Sequence, residues 1–404
     1  MTRLCAYFQI HQPHRLRRLR VFDIGAPREG GSAAEAWFDP DLDREVLGRV
    51  VERCYRPAAR LLLDHARRHG RDFRVGLGVT STVLAQLDEE APDVVDLIGE
   101  LVASGSAEIL GETSHHTLAW LFDRDEFARQ VEIHREDVRR RFGAEPAVFR
   151  NTELLYDDAL GAWLASRGYR AVLAEGAEHF LAGRTATSVY AAEPAPRLRI
   201  LPRHYRLSDD VGFRIQHAAG GRPLRARTWA RWIAATGGDS VNVFLDFETF
   251  GEHHGEVALR LLEEMPDALA RFGVAMHLPS EAASLEPAGT LSAPAPVSWA
   301  DEARDESAWL GNAMQKAASA ALYRMLPDLH RRDDGALLEA WRRLATSDHA
   351  YYMSTKGFGD GQVHAHFRPY ESPYEAHLNF MNVIADLAFP RPGGAAGPHP
   401  GASA

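Results

Sequence analysis

Short apolar segments that each end in polar residues, separated by stretches with helical spacing, constrain this fold more than any other feature. The apolar segments cover residues 4–10, 73–79, 107–110, 147–149, 170–174, 198–201, 240–245 and 274–278. The longest helical stretches between them are predicted at 42–69, 93–104 and 124–142. Strands that alternate with helices predict an α/β fold with a parallel sheet, buried on both faces.

The polar residues that follow these strands predict where the chemistry lies. Seven or eight strand–helix units suit a closed or nearly closed barrel, whose functional groups gather at the carboxyl ends of the strands. An open doubly wound sheet is the competing architecture. The sequence contains no glycine-rich phosphate fingerprint that would favour it.

The pattern changes near residue 286 and predicts four regions. We expect a catalytic barrel over residues 1–286 and a linker rich in proline, alanine and serine over 287–298. Residues 299–389 are predicted to form a helical region packed on the barrel. The tail at 390–404 is rich in proline, glycine and alanine and is expected to be disordered.

Charge and hydropathy exclude several kinds of partner. The chain of 404 residues has 46 Lys+Arg and 56 Asp+Glu, a net charge of −10. An acidic surface without a basic, aromatic-rich run disfavours nucleic acid. No apolar run approaches membrane-spanning length and no secretory leader is recognisable, so a cytoplasmic protein that does not bind membranes is expected.

Carboxylates at the strand ends are the most informative side chains. These are Glu112, Glu153, Glu175, Asp246 and Glu248. A lone buried charge is costly, so several at one rim indicate a functional site. Glycoside hydrolysis uses two carboxyl groups that flank the bond being cut. Spacing alone names the candidates and does not assign their roles.

Histidines cluster at the same strand ends and allow two interpretations. The cluster comprises His11, His115, His116, His204, His253 and His254. They could bind sugar hydroxyls, or His115 and His116 could hold zinc together with Asp246. No HExxH or CxxC spacing supports the metal site. Aromatic candidates for stacking on sugars are Trp120, Trp299, Trp309 and Tyr352.

Five regions, taken in order, resemble glycoside hydrolase family 57, in particular its short α-amylase-like members. They are His11-Gln12-Pro13; residues 105–116; residues 149–154; residues 244–253; and a C-terminal group around Trp341, Ser347-Asp348-His349 and residues 352–356 and 370–375. The segment 299–312 resembles the same subgroup. Phe247 departs from the pattern, because a tyrosine is common at that position.

The resemblance implies an incomplete (β/α)7 barrel followed by a helical bundle. It implies a retaining enzyme that cleaves α-1,4-glucosidic bonds of an α-glucan or maltooligosaccharide without a metal or other cofactor. Glu153 matches the nucleophile and Asp246 the acid/base, with a carboxyl separation of about 5–5.5 Å. The expected substrate-binding residues are His11, Gln12, Glu108, Glu112, His115, His116, Glu175, Arg203, Glu248, His253, Trp309, Asp348 and His349.

Three alternatives stay open on the sequence alone. The same two carboxylates could serve a 4-α-glucanotransferase or a branching enzyme, if a sugar hydroxyl replaces water as the acceptor. A metal-dependent carbohydrate deacetylase or hydrolase would use the histidines instead. A non-catalytic glucan-binding protein would use neither carboxylate for chemistry. Linkage preference, chain-length preference and oligomeric state are not fixed by the sequence.

Overall fold

The computed structural model describes residues 2–26, 36–218, 220–332, 334–356 and 368–389. The predicted tail at 390–404 therefore lies outside the described residues. The strands are β1 Arg3–Ile10, β2 Val75–Val79, β3 Ala107–Ile109, β4 Val148–Arg150, β5 Ala171–Glu175, β6 Tyr190–Ala192, β7 Ala195–Arg203, β8 Val241–Asp246, β9 Ala275–Met276 and β10 Thr290–Leu291.

Helices occupy the segments between the strands and most of the chain after them. Those within the first 286 residues are α1 Pro40–Val50, α2 Arg56–His69, α3 Ser81–Glu90, α4 Pro92–Ala103, α5 Ala119–Phe122, α6 Arg124–Phe142, α7 Asp158–Ser166, α8 Glu178–Leu181, α9 Tyr205–Gly212, α10 Ala226–Thr236, α11 Gly255–Arg271 and α12 Pro279–Ala282. A π-helical turn, Val51–Tyr55, joins α1 to α2, so the predicted helix over 42–69 is continuous.

The strands form two five-stranded sheets. The first has the order β3-β2-β1-β8, with β9 paired to the start of β1, and the second has the order β10-β6-β7-β5-β4. All pairings are parallel except β6 with β7. The prediction of an α/β fold built on parallel strands is confirmed.

Backbone hydrogen bonds join the two sheets at both edges. Gly111, just beyond β3, donates its N–H to Val148 of β4 at 2.9 Å and accepts from Arg150 at 2.8 Å. At the other edge, His204 donates to Asn242 of β8 at 2.7 Å. Because these strands are parallel, their carboxyl ends open on the same side of the molecule.

The segment predicted as a linker, 287–298, is instead built into the second sheet. Ala288 donates its N–H to Val189 at 2.8 Å, and β10 pairs with β6. Further on, Tyr156 and Val297 exchange backbone hydrogen bonds of 2.9 Å, and the Val297 side chain is buried. Its proline-rich composition is compatible with this role, because β10 contributes only two residues to the edge of the sheet.

Local sequence fixes the ends of the helix that supports the site. The side chain of Asp123 accepts a hydrogen bond of 2.8 Å from the backbone N–H of Glu126 and caps α6. The helix ends at Gly143, which adopts the left-handed conformation at φ 62°. The observed bounds equal the predicted range of 124–142.

The chain after residue 306 is helical in its described part. Its helices are α13 Ser307–Leu310, α14 Ala313–Arg324, α15 Leu326–Arg332, α16 Gly335–Leu344, α17 Ser347–Tyr351 and α18 Pro373–Ala388. Their shared core includes Leu322, Trp341 and Phe380, and also Leu16 and Trp37 from the N-terminal part of the chain. Among the described helices, none is long and apolar enough to cross a membrane.

A buried ion pair ties the C-terminal helices to the strand–helix body. Arg342 of α16 donates to Glu126 of α6 at 2.7 Å, and the Glu126 side chain has no exposed surface. Gln130 also donates to this carboxylate at 3.0 Å. Removing one partner of such a pair leaves a buried charge without its counter-ion.

We expect Arg342→Met to lower the free energy of unfolding by about 3 kcal/mol, measured by urea denaturation, because Glu126 loses its counter-ion. Arg331→Met is the matched control: Arg331 pairs with Asp328 at 2.9 Å, but its side chain is 72% exposed. That change should cost less than about 1 kcal/mol. Equal losses in the two variants would contradict the importance of burial.

Candidate functional site

The carboxyl ends of the parallel strands line one cavity. Nine of the predicted site residues contribute to it, namely His11, Gln12, His116, Glu153, Arg203, Asp246, Glu248, His253 and Asp348. They come from several strand ends and, in the case of Asp348, from α17. The cavity therefore lies between the strand ends and the C-terminal helices.

Glu153 is the most tightly held carboxylate of this cavity. One of its oxygens, Oε1, lies 3.1 Å from His116 Nε2 and accepts a hydrogen bond of 3.3 Å from the Ser347 hydroxyl. The other, Oε2, accepts a hydrogen bond of 2.7 Å from the indole N–H of Trp299. These three donors come from three distant segments and favour the charged form of the carboxylate.

The backbone at this site is strained. Glu153 and Leu154 both have left-handed conformations, at φ 58° and 54°. Three further cavity residues other than glycine share this region, with φ values of 53° for His116, 55° for Asp301 and 53° for Arg304. Such conformations cost energy and concentrate at functional sites, where the surroundings hold them in place.

His116 carries a positive charge at neutral pH and separates two carboxylates. Burial alone would lower its pKa, but the nearby carboxylates of Glu112 and Glu153 outweigh this effect and raise the pKa to about 9. Its Nδ1 lies 3.7 Å from Glu112 Oε2. The ring of His11 stacks on it with centroids 4.3 Å apart. Burial, and then the charge of His116, lower the pKa of His11.

Asp246 lies at the end of β8, beside Gln9 of β1 in the sheet register. Its neighbour Glu248 is buried and accepts hydrogen bonds from Tyr55 and from Gln12, the latter at 3.2 Å. Burial, and then the negative charge of Asp246, raise the pKa of Glu248 to about 8. Glu248 is thus largely protonated at neutral pH and adds little charge beside Asp246.

A second buried charge network lies at the ends of β5 and β7. Arg203 donates to Glu175 at 3.1 Å and to Asp209 at 2.7 Å. Arg304 approaches the same two carboxylates at 3.5 and 3.6 Å. Glu175 is fully buried and does not line the cavity. It binds Arg203, which does line it.

Other predicted binding residues also lie outside the cavity lining. Glu108 accepts a 2.6 Å hydrogen bond from the backbone N–H of Ser280 in the first turn of α12. Glu112 accepts a hydrogen bond of 3.1 Å from the Gln9 side chain and lies 3.7 Å from the His116 ring. Both carboxylates are occupied by contacts within the protein.

Three further predicted residues lie outside the cavity lining: His115 contacts the C-terminal helices, and Trp309 and His349 belong to them. His115 Nε2 lies 3.0 Å from Glu339. Trp309 is fully buried and packs near Tyr351, with ring centroids 6.2 Å apart. His349 is buried, which lowers its pKa to about 4. These three residues support the wall of the cavity from outside.

The arrangement of the histidines bears on the metal-dependent alternative. His115 and His116 are neighbours in sequence, yet their rings bond Glu339 and Glu153 respectively. In the described part of the chain, no group of three or more His, Cys, Asp or Glu is placed to hold a metal ion. The zinc set that the metal-dependent alternative requires, His115, His116 and Asp246, is therefore not assembled among these residues.

Sequence reasoning missed several residues that line the cavity. These are Gln9, Asp209, Phe213, Arg214, Asp301, Arg304 and Tyr351. Trp299 also lines the cavity, and the sequence identifies it only as one of several aromatic candidates for stacking on sugars. The segment 299–306 carried a signal, since Trp299, Asp301 and Asp305 belong to the motif that resembles the short subgroup. Asp209 lies within α9 and had no such signal.

Carboxyl groups that meet at the carboxyl ends of parallel strands are an arrangement that carbohydrate-cleaving hydrolases can use. Residues 6–294 match the family model described as "Glycosyl hydrolase family 57". The chain is 34% identical over 400 residues, 95% of its length and 83% of the relative's, to a protein of Methanocaldococcus jannaschii described as "Putative alpha-amylase". The chain belongs to glycosyl hydrolase family 57 and is a glycoside hydrolase.

Solved structures share the fold at low sequence identity. A branching enzyme of Pyrococcus horikoshii matches with a TM-score of 0.66 and 12% identity, over 90% of this chain and 87% of the other. A 4-α-glucanotransferase of Thermococcus litoralis matches with a TM-score of 0.59 and 16% identity, over 87% of this chain. The match covers only 51% of the glucanotransferase, about half of its length.

The raised pKa of His116 gives a stability prediction. The stabilisation of the folded state by the charged His116 ring is fully present below pH 6.5. It is lost as the pH rises through about 9. Between pH 6 and pH 10, we expect the difference in unfolding free energy between the wild type and His116→Gln to shrink by about 3 kcal/mol. Urea denaturation at several pH values measures this; a constant difference would contradict an ion pair with Glu153 and Glu112.

Proposed function

We propose that this protein is a retaining α-glucan hydrolase of the α-amylase type that cleaves α-1,4-glucosidic bonds by double displacement. The observation that carries the proposal is that Glu153 and Asp246 line one cavity while three donors hold the Glu153 carboxylate. The joined parallel strands correspond, in this proposal, to an incomplete (β/α)7 barrel, and the helices after residue 306 to its C-terminal bundle.

Glu153 acts as the nucleophile in this mechanism. Its carboxylate attacks the anomeric carbon and forms a covalent glycosyl-enzyme as the bond to the leaving oxygen breaks. His116, Trp299 and Ser347 restrict the orientation of the carboxylate before it attacks. The strained backbone at Glu153 brings the side chain to the cavity from a position just beyond β4.

Asp246 acts as the acid and then as the base. Protonated, it gives its proton to the leaving glycosidic oxygen; ionised, it takes a proton from the water that attacks the anomeric carbon and releases Glu153. Glu248, whose pKa is raised to about 8, adds little charge beside it at neutral pH. A carboxyl separation of about 5–5.5 Å stays a prediction of this mechanism.

Transfer to a sugar hydroxyl would use the same two residues. The 34% identical relative is described as "Putative alpha-amylase", which favours hydrolysis. The fold neighbours include a glucanotransferase and a branching enzyme, so the acceptor must be tested directly. The first experiment below separates these outcomes by product length.

We expect the wild type to convert a defined maltooligosaccharide to shorter products only, and Glu153→Gln to lose more than about 10³-fold of kcat because it lacks the nucleophile. Chromatography by chain length measures both. Glu89→Gln, at an exposed site on α3, is the control and should keep full activity. Products longer than the substrate would indicate transfer; substantial turnover by Glu153→Gln would exclude it as nucleophile.

A second experiment tests Asp246 separately. Asp246→Asn should lose activity on maltooligosaccharides but keep the first step with α-maltotriosyl fluoride, because fluoride leaves without protonation. Added azide needs no general base, so it should speed turnover and yield an α-glycosyl azide. Mass spectrometry and NMR identify that product. A β-glycosyl azide, or no rescue at all, would contradict the acid/base role in a retaining mechanism.

A further inference from the structure

The loop that follows the second sheet reaches into the site through Trp299. Its indole N–H donates to Glu153 Oε2 at 2.7 Å, and its backbone N–H donates to the Glu153 carbonyl at 3.3 Å. The two residues are therefore linked through both side chain and backbone. The indole thus binds Oε2, while His116 and Ser347 both bind Oε1.

Two arginines fix the plane of this indole. The guanidinium carbon of Arg150 lies 5.0 Å from the ring centroid, and that of Arg203 lies 5.6 Å from it. Arg150 is fully buried, and none of its guanidinium nitrogens has a hydrogen-bond partner among the described residues. A desolvated cation within about 6 Å of an indole attracts the ring face, so it restrains rotation of Trp299.

Arg304 fixes the backbone of the same loop. Its Nη1 donates to the carbonyl oxygen of Trp299 at 2.5 Å. The guanidinium also lies 3.5 Å from Glu175 and 3.6 Å from Asp209, two carboxylates that belong to β5 and α9. The loop is thus attached to rigid elements through Arg304. Arg304 is also one of its strained residues, with φ 53°.

We propose that Trp299 and Arg304 are positioning residues for the nucleophile: Trp299 sets the orientation of Glu153, and Arg304 acts on Glu153 through Trp299. This inference rests on the proposed function, because it needs Glu153 to be the attacking group. Loss of the indole N–H allows the Glu153 carboxylate to rotate. Loss of Arg304 allows the loop to move the indole away from Glu153. Both changes slow attack more than they weaken substrate binding.

A double-mutant cycle tests this coupling. Trp299→Phe keeps the ring and removes the donor, so we expect kcat to fall about 10- to 100-fold while KM changes less than about 3-fold. Arg304→Met should lower kcat by a similar factor. The double variant should be no slower than the slower single variant, because both changes remove one interaction with Glu153.

The pH profile gives a readout that a purely structural role would not change. Loss of a donor disfavours the charged form of Glu153, so the acid limb of kcat/KM should move to higher pH in Trp299→Phe. The other groups bonded to the Glu153 carboxylate, His116 and Ser347, are unchanged in that variant. Arg304→Lys keeps the charge and should restore part of kcat, and it replaces Arg304→Met in the cycle if the latter is unfolded.

Arg331→Met is the matched control, because Arg331 lies on α15, its side chain is 72% exposed and pairs with Asp328, and it does not line the cavity. It should leave kcat and KM unchanged. Multiplicative losses in the double variant, or an unchanged kcat in Trp299→Phe, would overturn the inference while the proposed function stands. A wild type that leaves maltooligosaccharides intact would overturn the proposed function and this inference together.

Discussion

The site depends on the neutralisation of carboxylates that the strand ends bring together. Burying such charges is costly unless cations and hydrogen-bond donors accompany them. His116 stands between Glu112 and Glu153, while Arg203 serves Glu175 and Asp209. Because each cation contacts two carboxylates, removal of one cation would weaken the neutralisation of two buried negative charges at once. The positions of these cations therefore determine which carboxylates can remain ionised.

Glu248 shows the other way of accommodating a buried carboxyl group. It has Tyr55 and Gln12 as hydrogen-bond partners, no arginine or histidine of the described residues pairs with it, and its pKa rises to about 8. Neighbouring carboxyl groups whose pKa values are pushed apart are typical of acid/base sites. The rim thus combines charged and neutral carboxyl groups within a few residues of each other. The hydrogen bonds from Tyr55 and Gln12 lower the pKa of Glu248, so their removal would keep this carboxyl group protonated to a still higher pH.

The sequence predicted the strands and their polar ends because both depend on local pattern. The strand predicted at 4–10 is observed at Arg3–Ile10, and the strand predicted at 240–245 is observed at Val241–Asp246. Side-chain direction was less predictable. Glu108 and Glu112 are close in sequence to His116, yet one caps α12 and the other binds Gln9. Trp299 reaches Glu153 across 146 positions in the sequence, and no local pattern encodes such a contact. The same applies to the segment 287–298, whose composition resembles a linker although its backbone pairs with the sheet.

The donors to Glu153 have an implication for how the enzyme is made. During synthesis the chain emerges from its N-terminus, so His116 is available long before Trp299 and Ser347. A nascent chain that has folded only its first strands would lack the contacts that Trp299 and Ser347 make with the Glu153 carboxylate. The site around Glu153 would therefore be completed late in translation, after the ribosome has passed residue 347 and the C-terminal helices have packed against the strand–helix body. Such a sequence of events delays hydrolysis until Ser347 and the helix that carries it are in place.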